Sequence, residues 1–311
     1  MRFDAPTLAH ELLNFAPARQ AYTGQLEPAA GPAQSWYVLL DGRPIPFKFL
    51  RAADTPRPVL VLLPGMGVTH GTFAGIAPWL VAQHDLLVLD YNSFYADFGW
   101  PTGGPTLREM AVGIWAVIDA LGMNQVSFAG SSLGGGLALL ATGLQPRRVR
   151  QLILFNPAVF PQELPRMYHW MRIPLLGDWM MYLSPPERLV NGLSRIGYSQ
   201  PEVLPARCRA AFERDMHLAN RWKLMDIMRQ LPPNARASRF LLQGVADLPH
   251  PMLLLWGEQE RLLPADTPER MAPLFPGLQI RRFAHLAHLP HDEAPDELGA
   301  CCQAFLNTAI T

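Results

Sequence analysis

Phe128-Ala129-Gly130-Ser131-Ser132-Leu133-Gly134-Gly135-Gly136 is the stretch on which the reading of this chain turns. The apolar run before it, residues 125–129, has the pattern of a buried strand, and residues 137–141 after it have the pattern of a helix. A serine therefore stands at a strand-to-helix turn. Gly130-Ser131-Ser132-Leu133-Gly134 fits G-x-S-x-G, whose central serine occupies a tight turn while small flanking residues let the strand and helix backbones approach. Ser132 is the candidate nucleophile. Centring the motif on Ser131 would put bulky Leu133 where the turn needs a small residue. A phosphate-binding loop is excluded because no lysine follows the glycines.

Working outward, residues 59–63 form a continuous apolar run, as expected of a strand covered on both faces in a parallel sheet, and they end in Pro64-Gly65-Met66-Gly67. Residues 35–40 and 45–50 flank Asp41-Gly42-Arg43-Pro44 and predict a β-hairpin. Beyond these, residues 73–82 predict a helix disturbed by Pro78, and residues 86–90 a strand. Thr106 with Glu109 is a capping box opening a helix whose Met110, Ile114, Val117, Ile118 and Leu121 share one face. Another strand follows at residues 151–155, and this β-α-β-α alternation implies a mostly parallel sheet with helices on both sides, an α/β fold.

From 158 to 247 the strand rhythm stops. That segment holds Trp170, Trp179, Trp222 and seven of the thirteen methionines, with prolines dividing it into short helical pieces, and it is expected to be an inserted helical cap. The rhythm returns with a strand at 251–256, a helix at 267–274, a strand at 278–283 and a terminal helix at about 295–307. The expected organisation is a core domain of residues 1–157 and 248–311 interrupted by the cap at 158–247. Residues 6–33, with Leu8, Leu12, Leu13 and Phe15, form a short amphipathic piece and a connector without readable chemistry.

Composition limits the partners. In 311 residues, 49% are hydrophobic and 17% charged, and Lys plus Arg equals Asp plus Glu at 26 each, so the balance carries no footprint for nucleic acid or an anionic membrane. Arg147-Arg148-Val149-Arg150 is expected to be a solvated loop. The first residues lack the apolar core of a signal peptide, and no stretch approaches the ~18 uninterrupted apolar residues of a membrane span. A cytoplasmic location is the expectation. Cys208, Cys301 and Cys302 suggest no disulfide framework and are expected to be reduced thiols packed in helices.

Two more stretches lie at strand ends, where open α/β sheets collect ligands. One runs from Gly257 through Glu260 to Pro264; the other carries His288, Glu293 and Pro295. With Ser132 they place serine, acid and histidine in that order. From about residue 35 onward the chain resembles the α/β-hydrolase fold family, whose members carry a glycine, an acid three residues on and a proline four later. They also carry a histidine followed five and seven residues on by glutamate and proline. The resemblance implies a cofactor-free serine hydrolase with helical cap, most like a carboxylesterase acting on a small, apolar ester. In it His288 is the base, Glu260 the orienting acid, and the backbone N–H groups of Leu133 and Met66 the oxyanion hole.

Departures from the family pattern are Pro64-Gly65 in place of His-Gly, and Glu rather than the usual Asp at 260. Asn156-Pro157 stands at the strand end where some relatives place their acid, so no carboxylate is available there. Glu258, Asp266 and Asp292 remain rival acids. His285, His288 and His291, three residues apart, invite a metal reading, but the resemblance assigns one histidine here and no metal. Other activities within reach are a carbon–carbon hydrolase of ring-opened aromatics, though Leu289 stands where such enzymes commonly have Trp, and a ligand-binding relative without turnover. Acyl and alcohol specificity and oligomeric state stay open.

Overall fold

The computed structural model of the protein describes residues 34–40, 43–50, 56–66, 68, 70–89, 106–160, 166–203 and 247–308, with isolated positions between 209 and 245. The amphipathic piece at 6–33, the turn residues 41–42, Gly67, Cys208 and Trp222 lie outside the described residues. Eight strands form one sheet: β1 (Gln34–Leu40), β2 (Arg43–Leu50), β3 (Val59–Leu63), β4 (Asp85–Val88), β5 (Val126–Ser131), β6 (Val149–Phe155), β7 (Met252–Gly257) and β8 (Leu278–Phe283). Their order is β1-β2-β4-β3-β5-β6-β7-β8. The expected hairpin is present, with Leu40 opposite Arg43, and β2 pairs antiparallel with β4; all other pairs are parallel.

The apolar runs have a two-sided explanation. Side chains alternate across a strand, so Val61 and Leu63 join Phe128 and Leu154 on one face, while Leu60 and Leu62 join Ala129, Ile153 and Leu255 on the other. Helices α1 (Ala77–Val81), α2 (Leu107–Ala120) and α3 (Leu133–Leu144) follow β3, β4 and β5. Ile114 and Ile118 of α2 cover the first face; Leu80 of α1 packs on the second. Each large apolar side chain so buried contributes about 1.5–3 kcal/mol. Both faces being covered is what removes any polar position from β3.

Between β6 and β7 the described chain is helical: α4 (Arg166–Met171), α5 (Leu176–Leu183) and α6 (Pro186–Gly197). After β7 come α7 (Thr267–Met271), α8 (Pro290–Glu293) and α9 (Pro295–Thr308). Leu298, Cys302 and Phe305 of α9 close the second face beside α1. Cys301 and Cys302 are both free thiols, as expected. No helix among the described residues is long and apolar enough to cross a membrane.

The capping box forms as predicted: the Thr106 N–H donates to Glu109 Oε2 at 2.7 Å and the Glu109 N–H to Thr106 Oγ1 at 3.2 Å. Two expectations need correction. Pro78 does not disturb a helix but stands in the first turn of α1, where its missing N–H has no intrahelical role; a separate 3₁₀ turn at His70–Phe73 precedes it. The basic run is not a solvated loop: Arg148 bonds Asp119 at 2.6 Å and Met123 O at 2.6 Å and lies 4.6 Å over the Trp115 ring, while Val149 and Arg150 are already strand. A guanidinium can lie flat on an aromatic face and still use its edge, which the sequence alone did not indicate.

Candidate active site

The chain leaves β3 toward β4 on one side and leaves β5 toward β6 on the other, so the carboxyl ends of β3 and β5 form the switch point of the sheet, the place where open α/β sheets bind ligands. Ser132 stands there, buried, at φ 52° and ψ −119°. A positive φ on a residue with a Cβ costs on the order of 1–3 kcal/mol and persists only where the surroundings enforce it. They do: its N–H donates to Phe155 O at 3.0 Å, and its carbonyl accepts from Gly135, Gly136 and Ala158, the last at 2.8 Å. Ser131 is an ordinary residue of β5 with a buried hydroxyl, so the strained position belongs to Ser132.

Two glycine contacts explain the motif. A Cβ on Gly134 would lie 1.9 Å from Leu63 O, so only glycine lets α3 start against the end of β3. A Cβ on Gly65 would lie 3.0 Å from that of Ser132, which puts the loop after β3 directly beside the serine. Met66, half-buried, is next in that loop. Leu133 is the first residue of α3, where a backbone N–H has no acceptor within the helix and the helix dipole favours negative charge.

Glu260 and His288, contributed by the loops after the neighbouring strands β7 and β8, meet at the carboxyl end of the sheet. His288 Nδ1 lies 2.6 Å from Glu260 Oε2, with both side chains buried. The other carboxylate oxygen, Oε1, accepts from the N–H groups of Arg261, Leu262 and Leu263 at 2.9, 2.8 and 3.2 Å. Burial pushes the Glu260 carboxyl up, but the neighbouring His288 and the hydrogen bonds from His288, Leu262 and Asn156 outweigh it and hold the group below the ordinary carboxylate range. An ionised, fully accepting carboxylate fixes Nδ1 as the protonated nitrogen and leaves Nε2 free to act as a base.

The two loops are locked together. A Cβ on Gly257 would lie 2.2 Å from Ala287 O, and the Gln259 N–H donates to Leu286 O at 2.9 Å. Glu293 acts as a clamp: Oε2 accepts from Ala287 N at 2.9 Å, and Oε1 from Ser199 N at 2.8 Å. The Leu289 N–H donates to Gly197 O at 2.8 Å, and the Tyr198 hydroxyl to Asp292. Rival acids are engaged elsewhere: Glu258 with Arg282 at 3.6 Å, Asp266 with Arg270 at 3.5 Å, Asp292 with Tyr198. His285 pairs with Glu297 at 2.9 Å, while His291 lies between Phe73 and Phe155, with ring centroids 4.7 and 4.6 Å apart. Burial, then the neighbouring His288, lowers His291 to about 3. Among the described residues no group of three or more His, Cys, Asp or Glu side chains is set to hold a metal ion.

Asn156 is the residue the sequence reading passed over. It sits at φ 37° after β6, donates from Nδ2 to Glu260 Oε2 at 2.7 Å and to Gly257 O at 3.2 Å, and accepts the Gly257 N–H at 2.9 Å. The sequence signal is an Asn at the end of a strand, a side chain that carries both a donor and an acceptor where the neighbouring loop brings a carboxylate.

Comparison with known proteins agrees with this architecture. A 2-hydroxymuconate semialdehyde hydrolase of Pseudomonas putida is 27% identical over 248 residues, covering 77% of this chain and 81% of that enzyme. A provisionally named carbamate hydrolase of Pseudomonas savastanoi pv. phaseolicola is 22% identical over 257 residues, covering 83% and 96%. The crystal structure of a serine hydrolase from Cycloclasticus zankles shares the fold at a TM-score of 0.73, with 16% identity and coverage of 88% and 98%. The profile of the alpha/beta hydrolase family matches residues 12–300, a span that contains the whole sheet and every loop that carries a site residue, and the chain belongs to that family.

Proposed function

We propose that the protein is a serine hydrolase that cleaves carboxylic esters of small, apolar substrates through an acyl-enzyme on Ser132. The observation that carries this reading is the buried Glu260–His288 hydrogen bond of 2.6 Å at the carboxyl end of the same sheet whose β5 ends in the strained Ser132. His288 Nε2 takes the proton of Ser132 Oγ as that oxygen attacks the ester carbonyl, and the tetrahedral oxyanion is stabilised by the N–H groups of Leu133 and Met66. The C–O bond to the alcohol then breaks, with His288 returning the proton to the leaving oxygen. Water, deprotonated by the same nitrogen, releases the acid and restores the serine. Residues 158–247 serve as a cap over this site, and buried Met171 and Met181 in that segment support an apolar, adaptable wall.

A second reading, carbon–carbon hydrolysis of ring-opened aromatics, is favoured by the name of the Pseudomonas putida relative. Leu289, in place of the commonly found Trp, argues against it. Hydrolysis rates on p-nitrophenyl esters of graded acyl length, beside a ring-opened dienoate, separate the two. Each buried methylene is worth ~0.8 kcal/mol, about fourfold in transition-state binding, so rates should rise from acetate to medium chains and fall once the pocket is full. A flat or falling profile from acetate onward would sink the apolar-pocket reading. A dienoate cleaved faster than every ester would transfer the assignment to carbon–carbon hydrolysis, and tight binding of a small ligand with negligible turnover would make the protein a receptor.

A further inference from the structure

The C-terminal end of α6 touches both loops that carry the acid–base pair. The last carbonyls of a helix have no donor within it and must find donors elsewhere. Those of α6 find them in the site: Arg195 O accepts from Arg261 Nη1 at 2.6 Å, and Gly197 O from the Leu289 N–H at 2.8 Å. Arg261 directly follows Glu260, and Leu289 directly follows His288. A guanidinium at this end of α6 is also favoured by the helix dipole. Leu289 in turn is the N-cap of α8, so its N–H is among the donors that α8 cannot satisfy itself.

The two residues after α6 continue the contact. Tyr198, buried, donates its hydroxyl to Asp292, also buried. Ser199 donates its N–H, at 2.8 Å, and its hydroxyl to Glu293 Oε1, while Glu293 Oε2 takes the N–H of Ala287, the residue before His288, at 2.9 Å. The backbone is thus held on either side of His288, after it by Gly197 directly and before it by Ser199 through Glu293. A Cβ on Gly197 would lie 2.9 Å from Leu289 Cδ1, so the helix end rests against that side chain as well.

We infer that residues 195–199 are the mount of the catalytic base, with Tyr198 and Ser199 as positioning residues that keep His288 Nδ1 on Glu260 and Nε2 in place for the proton of Ser132. This rests on the Ser132–His288 chemistry proposed above. It adds that the helical segment between β6 and β7 takes part in proton transfer, by fixing the base. A misplacement of ~1 Å at the reacting groups costs about 100-fold in rate, whereas ground-state binding of substrate does not require the base in register, so loosening the mount should lower kcat and spare KM.

The test compares Tyr198→Phe, Ser199→Ala and Ser194→Ala in the full chain. Ser194 is the control, because its buried hydroxyl donates to Pro201 O at 2.5 Å and this bond stays within the helical segment. Two readouts need no substrate: the rate at which a fluorophosphonate labels Ser132, which draws on the same base, and the far-downfield proton resonance of His288 Nδ1–H, identified by its loss in Glu260→Gln. Tyr198→Phe and Ser199→Ala should each slow labelling, and lower kcat on a p-nitrophenyl ester, by about 10-fold, and together by about 100-fold, with KM within about twofold. Both should shift or broaden the proton resonance, and Ser194→Ala should match the wild type in every respect but its melt. The mount is overturned if Tyr198→Phe and Ser199→Ala lower only the melting temperature, or if Ser194→Ala slows labelling as much as they do. It is equally overturned if KM rises while kcat and the resonance hold, which would make residues 195–199 a wall of the pocket. A wild type that shows the resonance but takes no phosphonate would sink the Ser132 reading, and the resonance in the variants would still decide the mount.

Discussion

Replacing Glu260 by Gln keeps the shape of the side chain and removes only its charge and half of its acceptor capacity. In the wild type Oε1 accepts three backbone N–H groups, and Oε2 faces His288 Nδ1 at 2.6 Å and the Asn156 amide at 2.7 Å. An amide turned with its oxygen toward the backbone keeps three bonds of ~1 kcal/mol each and points its NH₂ at two donors. The imidazole escapes by moving its proton to Nε2, which leaves no base for Ser132. The opposite orientation restores an acceptor to His288 but sets the NH₂ against three backbone donors. Turnover on a p-nitrophenyl ester should therefore fall by about 10³–10⁴-fold, equivalent to ~4–5.5 kcal/mol of lost transition-state stabilisation. Thermal unfolding should shift by only a few degrees, equivalent to ~1–3 kcal/mol. Steady-state kinetics from pH 6 to 10 with circular-dichroism melts would measure both. A loss under tenfold with an unchanged melt, or an equal loss in Asp266→Asn, would refute the assignment of the acid.

Ser132→Ala should lower activity by about 10⁴-fold or more and abolish phosphonate labelling, whereas Ser131→Ala should stay within a few-fold; label mapped to Ser131 by mass spectrometry would overturn the elbow register. Asn156→Ala should lower kcat by about 10–100-fold and shift the acid limb of the kcat/KM profile, because Glu260 Oε2, which also accepts from His288 Nδ1, loses its second donor; a lowered melt with unchanged kcat and profile would make Asn156 purely structural. His291, held near 3 against 6.5 when unfolded, contributes stability that is present above pH 6.5 and lost as pH falls, since only the unfolded chain takes the proton. His291→Phe should thus gain stability relative to wild type in urea melts at pH 4.5 compared with pH 7; an equal difference at both values would contradict the sign.

The elements that announced themselves in the sequence are those whose reason is local. An uninterrupted apolar run such as Val59–Leu63 follows from burial on both strand faces, and the spacing Gly130-Ser132-Gly134 from a turn whose backbones nearly touch. Thr106 and Glu109 cap their helix because both partners lie within one turn. The site's three loops could be read in the same way, since each strand end carries its own short motif. What the tertiary structure alone decided are the long-range bonds. Asn156 and Glu260 are 104 residues apart, and only the pairing of β6 with β7 brings an amide to the acid. Arg148 looked like a solvated charge until the fold put Trp115 and Asp119 beside it. His285 and His291 differ by nothing in their motif, yet one lies in solvent against Glu297 and the other between two phenyl rings. Hydrophobicity tells which residues seek cover and is silent on whether cover exists, so Leu175, Trp179 and Leu183 pass for core in the sequence and stand exposed in the fold.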